Sequence, residues 1–248
     1  LGVKKYSTDL SPAQWQRIEK LIEVKRKSKW PLQKIVEGIF YLTKNGCVWR
    51  DLPSDFPSWQ TVYWYFQKWV RSGVFELISA AMTLDYRILH EKQALPSAVI
   101  VDSQSVKNSA WATQSVGIDG GKLIKGRKRF VLCDTLGNLL NASVVSANCH
   151  DGVTAAQLWE YWSLNQPLLD KVNLVFADGT FGGTFKRHLE ASCGVNVEIP
   201  KGAIAKKGNV SITAFRWIVE RTLAWITNNR RLARDFERKT ATSEAFLN

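Results

Sequence analysis

Apolar residues recur every three to four positions through the first 95 residues, the period of an amphipathic helix. In "LSPAQWQRIEKLIEV", Leu10, Trp15, Ile18, Leu21 and Ile22 fall at helical spacing, with Ser11 placed to cap and Pro12 at the first helical position. "WPLQKIVEGIFYLTKNG" repeats the pattern from Pro31 and is stopped by Gly46. Turn formers Pro53, Asp55 and Pro57 interrupt it, and Ser58 then caps a third helix, "SWQTVYWYFQKWVRSG", closed by Gly73. A fourth runs from about Val74 to Glu91. Short helices joined by tight turns predict an all-helical, helix-turn-helix-like domain over residues 1–95, with the third helix entering a major groove.

After "EKQALPSA" the period becomes that of strands. "AVIVDSQSV" is a short strand-like run bounded by Pro96. "KRFVLCDTLGNLLNASVVSA" reads as two strands turning at Gly137 and Asn138. A helix opened by Asp151, "HDGVTAAQLWEYW", leads to a buried strand "VNLVFADG", a helix "GTFKRHLEASCG" and a strand "VNVEIP". A last helix, "SITAFRWIVERTLAWITNN", begins near Ser211. Strand, hairpin, helix, strand, helix, strand, helix predicts a mixed-sheet α/β domain over residues 96–248 with its own core.

Composition narrows the class. At 45% hydrophobic and 23% charged, the 248 residues can bury a core, which excludes wholesale disorder. No apolar run approaches the ~18–20 residues of a membrane span, and no signal-peptide pattern opens the chain. Cys47, Cys133, Cys149 and Cys193 form no CxxC pair, and His90, His150 and His188 have no zinc-finger spacing, so a reduced intracellular protein is expected.

Charge sharpens the picture further. The net charge is +12, with +6 in residues 1–95, zero in 96–200 and +6 in 201–248. That excess points to a polyanionic partner, nucleic acid before any other. On the third helix, most aromatic residues are expected in the core. Gln60, Thr61, Gln67, Lys68 and Arg71 are the positions able to reach bases or phosphates. "GIDGGKLIKGRKR" misses the phosphate-loop spacing, since Leu123 follows Lys122 where Ser or Thr is needed. Lys122, Lys125, Arg127, Lys128 and Arg129 read instead as a phosphate-contacting loop and strand edge.

Two aspartates stand out by position. Asp102 is expected to end the first strand and Asp178 a later one, where α/β sheets line their ligand crevice. Glu220, on the apolar last helix, is either solvated or aimed at that crevice, with Arg216 one turn before it. Three carboxylates on separate elements suit Mg²⁺, a hard ion that prefers oxygen. Two such ions ~3.5–4 Å apart can serve phosphoryl transfer. His150 beside Asp151 is an accessory acid–base candidate, whereas Ser103 and Ser105 have no histidine near them in sequence.

The stretches "GCVWRDLPSDFPSWQTVYWYFQKW", "VDSQSVK", "KGRKRFVLCDTLGNLL", "NCHDG", "FADGTFGG" and "RWIVERTLAWITNNRRLARDFE", in that order, resemble the DDE transposases of bacterial insertion sequences, in the insertion-sequence-five branch. The resemblance spans nearly the whole chain. It implies a ribonuclease H-like catalytic fold with Asp102, Asp178 and Glu220 as the acidic triad, and two Mg²⁺ (or Mn²⁺) ions as cofactors. It also implies a homodimer acting on double-stranded DNA, the element's terminal inverted repeats and a target, in a cytoplasmic, nucleoid-associated setting without membrane contact. The reaction implied is hydrolysis of a strand at the element end, followed by attack of the freed 3′-hydroxyl on target DNA.

Two features depart from the family pattern. Arg216 matches an arginine expected four residues before the glutamate, but the lysine expected seven after it falls on Thr227, which shifts that role to Arg230 or Arg231 or leaves it vacant. The sequence ends at Asn248 within "SEAFLN", where relatives carry another short helix. Alternative readings are therefore a domesticated or decayed copy that binds DNA without cutting, and a plain two-metal nuclease.

Overall fold

The structure, a computed structural model, describes residues 5–23, 29–199 and 210–248. Part of the basic excess, including Lys25, Arg26, Lys206 and Lys207, lies outside the described residues, as does Pro200 at the end of the last expected strand.

Among the described residues four helices come first: α1 (Pro12–Glu19), α2 (Leu32–Asn45), α3 (Trp59–Ser72) and α4 (Val74–Leu89). Ser11 and Gln14 form a reciprocal capping box at α1, at 3.3 and 2.9 Å. Gly46 and Gly73 end α2 and α3 in the left-handed conformation, at φ 68° and 67°. Ser58 departs from expectation. It occupies the cap position of α3, but its hydroxyl pairs with Thr61 Oγ1 at 3.1 Å rather than with the backbone.

Six strands follow among the described residues: β1 (Ala98–Lys107), β2 (Gly117–Asp119), β3 (Ile124–Asp134), β4 (Leu139–Ser146), β5 (Leu174–Phe176) and β6 (Asn196–Glu198). Across the sheet the order is β4, β3, β1, β5, β6. The central β3 runs antiparallel to both of its neighbours, β4 and β1, and β1, β5 and β6 run parallel. The short β2 pairs with the start of β3, on the edge that β4 occupies farther along. This is a mixed-sheet α/β architecture of ribonuclease H-like order preceded by helices.

Strand alternation divides the apolar residues between the two faces. Val99, Val101, Phe130, Leu132 and Val175 pack against Trp159 and Trp162 of α5 (Asp151–Asn165) and Phe185 of α6 (Thr184–His188). Ile100, Val131, Cys133, Val144 and Phe176 pack under α7 (Val210–Thr227) and α8 (Thr240–Leu247).

The second core does not stop at the sheet. It continues through Ile35, Ile39, Leu42, Val62, Phe66 and Trp69 of the first helices. Phe246 of α8 stacks on Phe66 of α3, ring centroids 4.4 Å apart, and Arg87 of α4 pairs with the buried Asp134 at 2.6 Å. The helical region and the sheet therefore share one core, where separate cores were expected. Expected helix 179–193 is broken: a 3₁₀ turn at Gly179–Phe181 precedes α6, because glycines 179, 182 and 183 weaken helical order. Among the described residues no helix is long and apolar enough to cross a membrane.

Candidate active site

The parallel ladder between β1 and β5 pairs Val99 with Val175 and Ile100 with Phe176, then stops. Asp102 and Asp178 each lie two residues beyond that last pair, so alternation carries both onto the face of Ile100 and Phe176. Here the sequence expectation needs correcting. Asp102 does not end its strand; β1 runs on to Lys107, paired with β3. What ends is the parallel ladder with β5, and α/β sheets bind their ligands where adjacent strands part in this way.

Each aspartate spends one oxygen on local backbone. Asp102 Oδ1 accepts the Ser103 N–H at 2.7 Å, and Asp178 Oδ1 accepts the N–H and hydroxyl of Thr180 at 2.9 and 2.5 Å. The second oxygen of each has no hydrogen-bond donor among the described residues. Burial pushes the Asp102 carboxyl up to about 6; the Ser103 N–H opposes this, the charge of Asp178 adds to it, and Lys122 and Arg216 oppose it. An oxygen-only pair of this kind, with free lone pairs and mutual repulsion, suits a hard divalent cation by its chemistry.

Glu220 is not gathered with them. It sits on the exposed flank of α7, where its Oε1 accepts Arg216 Nε at 3.0 Å, both side chains more than half exposed. Among the described residues no three His, Cys, Asp or Glu side chains are grouped closely enough to hold a metal ion. The helix itself is firmly seated. Phe215 stacks on Phe176 with centroids 4.0 Å apart, Arg221 donates to the Leu136 carbonyl at 2.7 Å, and Thr222 to that of Gly137 at 2.9 Å. Gly137 holds φ 88°, a left-handed conformation that strains any side chain, so the turn requires glycine here.

The expected phosphate-contacting run divides sharply. Lys122 and Lys125 are exposed, but Arg127, Lys128 and Arg129 are buried and serve the fold, a correction to their reading as DNA contacts. Arg127 faces Asp235 at 3.1 Å and donates to the carbonyls of Gln114, Glu237 and Arg238. Arg129 donates to the Leu232 carbonyl at 2.7 Å. Lys128 binds Asp151 at 2.8 Å and the Cys149 carbonyl at 2.9 Å, so Asp151 is engaged away from the exposed His150.

Arg231 is corrected in the same way. It is buried, bonded to Glu237 and lodged over the rings of Trp49 and Phe246. Arg230 is exposed. The acidic partners Asp134, Asp235 and Glu237 were missed by sequence reading. Their only signal is two acids set among the basic residues of "RRLARDFERK" and one in the turn "DTLGN".

On α3, Val62, Phe66 and Trp69 are buried, while Gln60 and Arg71 are exposed and Thr61, Gln67 and Lys68 are half-buried. Lys68 lies over the rings of Trp64 and Tyr65. Gln60 is thus not a buried residue satisfying a backbone group.

Residues 10–79 match the family model of a transposase of the IS4/5 family, and residues 93–248 match the transposase DDE domain. Among curated proteins there is no match. Among solved structures, the Mos1 transposase paired-end complex with the left transposon end is similar at 14% identity, over 88% of this chain and 82% of that one, with a TM-score of 0.29.

Proposed function

We infer, from the premise that the chain belongs to the DDE-domain transposase family, that Asp102, Asp178 and Glu220 are the carboxylates with which this DNA transposase works. The observation that carries the reading is the matched offset of Asp102 and Asp178 past the parallel ladder, each with one oxygen unspent. Glu220 enters through its motif, with Arg216 four residues before it. Its exposed pair with Arg216 is worth only ~0.3–0.5 kcal/mol, so that pair does little to hold the glutamate where it is.

DDE transposase domains use divalent metal ions, and Asp102 and Asp178 would hold Mg²⁺ or Mn²⁺, with Glu220 joining them to complete sites for two ions. When bound, such ions supply charge stabilisation for in-line displacement at phosphorus. The chain's own contribution is positional. Lys122 and Arg216, the cations acting on Asp102, offset the carboxylate charge and can receive phosphate. Helix α3 presents Gln60, Thr61, Gln67, Lys68 and Arg71 to the element end, and Lys125 and Arg230 add phosphate contacts. Residues 1–95 thus read DNA and residues 96–248 cut it. Joining two ends in one complex calls for a homodimer.

The test is cleavage of a labelled duplex carrying the native element end, with Mg²⁺ and with chelator. Asp102→Asn and Asp178→Asn should each abolish cleavage and 3′-end joining while retaining binding. Cleavage that survives Asp102→Asn would overturn the assignment, and binding without metal-dependent cleavage by the unaltered chain would mark a copy that only binds.

A further inference from the structure

The turn joining β2 to β3 is built at a conformational cost that packing does not offset. Its residues are Gly120, Gly121, Lys122 and Leu123. Leu123 holds φ 53°, in the left-handed region that favours glycine, while neither Gly120 nor Gly121 adopts positive φ. The Leu123 side chain is 83% exposed, so its strain is not repaid by burial. Strain of this kind persists at functional sites when the surroundings over-determine it.

The surroundings do so here. Asp119 Oδ1 accepts the N–H groups of Gly121 and Lys122 at 3.0 and 3.1 Å, and its Oδ2 accepts the Ser105 hydroxyl at 2.5 Å. Ser105 lies on β1, three residues beyond Asp102. Two hydrogen bonds therefore tie the backbone of Lys122 to the strand of the candidate catalytic aspartate, and the charge of Lys122 is felt at Asp102. The Lys122 ammonium makes no ion pair among the described residues. The tip is an exposed projection anchored to β1, one residue cationic and the next apolar.

We propose that this tip is a DNA-end device, with Lys122 seating a phosphate next to the cleaved bond and Leu123 acting as an apolar wedge that unstacks the adjoining base pair. The proposal rests on the assignment of Asp102 above. An apolar side chain inserted at a base step exchanges stacking for contact with the protein, and it opens the duplex where the reacting phosphate must be reached. A leucine at a left-handed position suits that use. The backbone conformation aims the side chain outward, and a glycine would relax the turn but remove the wedge.

The experiment uses the full chain and a duplex of the native element end with 2-aminopurine at the pairs flanking the cleavage position, in Ca²⁺ for binding and Mg²⁺ for cleavage. Binding of the unaltered chain should raise 2-aminopurine fluorescence at one step. Leu123→Ala should lose that rise and slow cleavage, with affinity within about twofold because phosphate contacts dominate it. Leu123→Phe should keep the rise. Leu123→Gly should raise the melting temperature while losing the rise, an outcome that misfolding does not produce. Lys122→Met should flatten the salt dependence of binding by ~0.9 in log–log slope. A rise undiminished in Leu123→Ala, or a melting temperature lowered by Leu123→Gly, would overturn the proposal. Asp102→Asn separates the two readings. If it is inactive while Leu123→Ala behaves as the unaltered chain, the wedge fails alone. If it still cleaves while Leu123→Ala does not unstack, the catalytic assignment fails.

Discussion

Replacing Arg127 by methionine should remove stability and leave the salt dependence of DNA binding unchanged. The guanidinium and the Asp235 carboxylate are both fully buried, 3.1 Å apart. Arg127 also donates to the Gln114 carbonyl at 3.1 and 2.7 Å and to those of Glu237 and Arg238 at 2.8 Å. Methionine keeps the apolar stem and removes every donor. Asp235 would then keep only the Ser243 hydroxyl at 2.8 Å and the Glu237 N–H at 3.0 Å. Losing one partner of a buried pair costs about 3–5 kcal/mol. For a chain of this size each kcal/mol moves the melting point by ~2–4 °C, so Arg127→Met should melt roughly 6–20 °C lower. Thermal melting by circular dichroism reads the first effect, and binding titrations across salt, run below the variant's transition, read the second. Lys125→Met should do the opposite, changing stability by no more than about 0.5 kcal/mol and flattening the slope by ~0.9. The double variant Arg127→Met with Asp235→Leu should recover only part of the loss: it removes the unpaired carboxylate, but the buried Arg129 also loses the charge of Asp235. An Arg127→Met protein with unchanged melting and a flattened slope would refute the buried, structural role.

On α3, Gln60→Ala should relax sequence preference by ~1–3 kcal/mol at one base pair, whereas Arg71→Ala should weaken all sequences alike; competition between matched and scrambled ends measures both. Asp134→Ala removes the acceptor of Arg87 at 2.6 Å and of the Leu136 and Asn138 N–H groups at 3.0 and 2.9 Å, and should cost about 3–5 kcal/mol in chemical denaturation. The Asp119 carboxyl is held down to about 2, first by the Ser105 hydroxyl. Its folded pKa is depressed, so its contribution is complete above the unfolded value of ~3.9 and is lost as pH falls through about 2. Melting followed from pH 4 to pH 2 should therefore fall less steeply in Asp119→Asn; an identical slope would contradict the assignment.

Much of this molecule was readable before any coordinates. The cap at Ser11, the helix-ending glycines 46 and 73 and the hairpin turn at Gly137 were legible because each is a local rule, satisfied within a few residues. So were the strand cores, because alternation and helical period are properties of neighbouring residues. The two aspartates could be picked out because each follows a buried apolar strand run. Their pairing across the sheet needed the topology, since 76 residues separate them.

The basic run from Lys122 to Arg129 shows where local reading stops. Charge and spacing are alike along it, yet Lys122 and Lys125 face water while Arg127, Lys128 and Arg129 do not. The difference lies in chain that arrives later: the segment carrying Leu232, Asp235 and Glu237 closes over one face of β3, and Asp151 meets Lys128 on the other. In the same way α8, whose sequence carries little periodicity, completes the core of the first helices by stacking Phe246 on Phe66. Which residues can form a helix or a strand is decided by their neighbours in sequence. Whether a charge meets water or a buried partner is decided by burial and long-range closure, and those exist only in the folded chain.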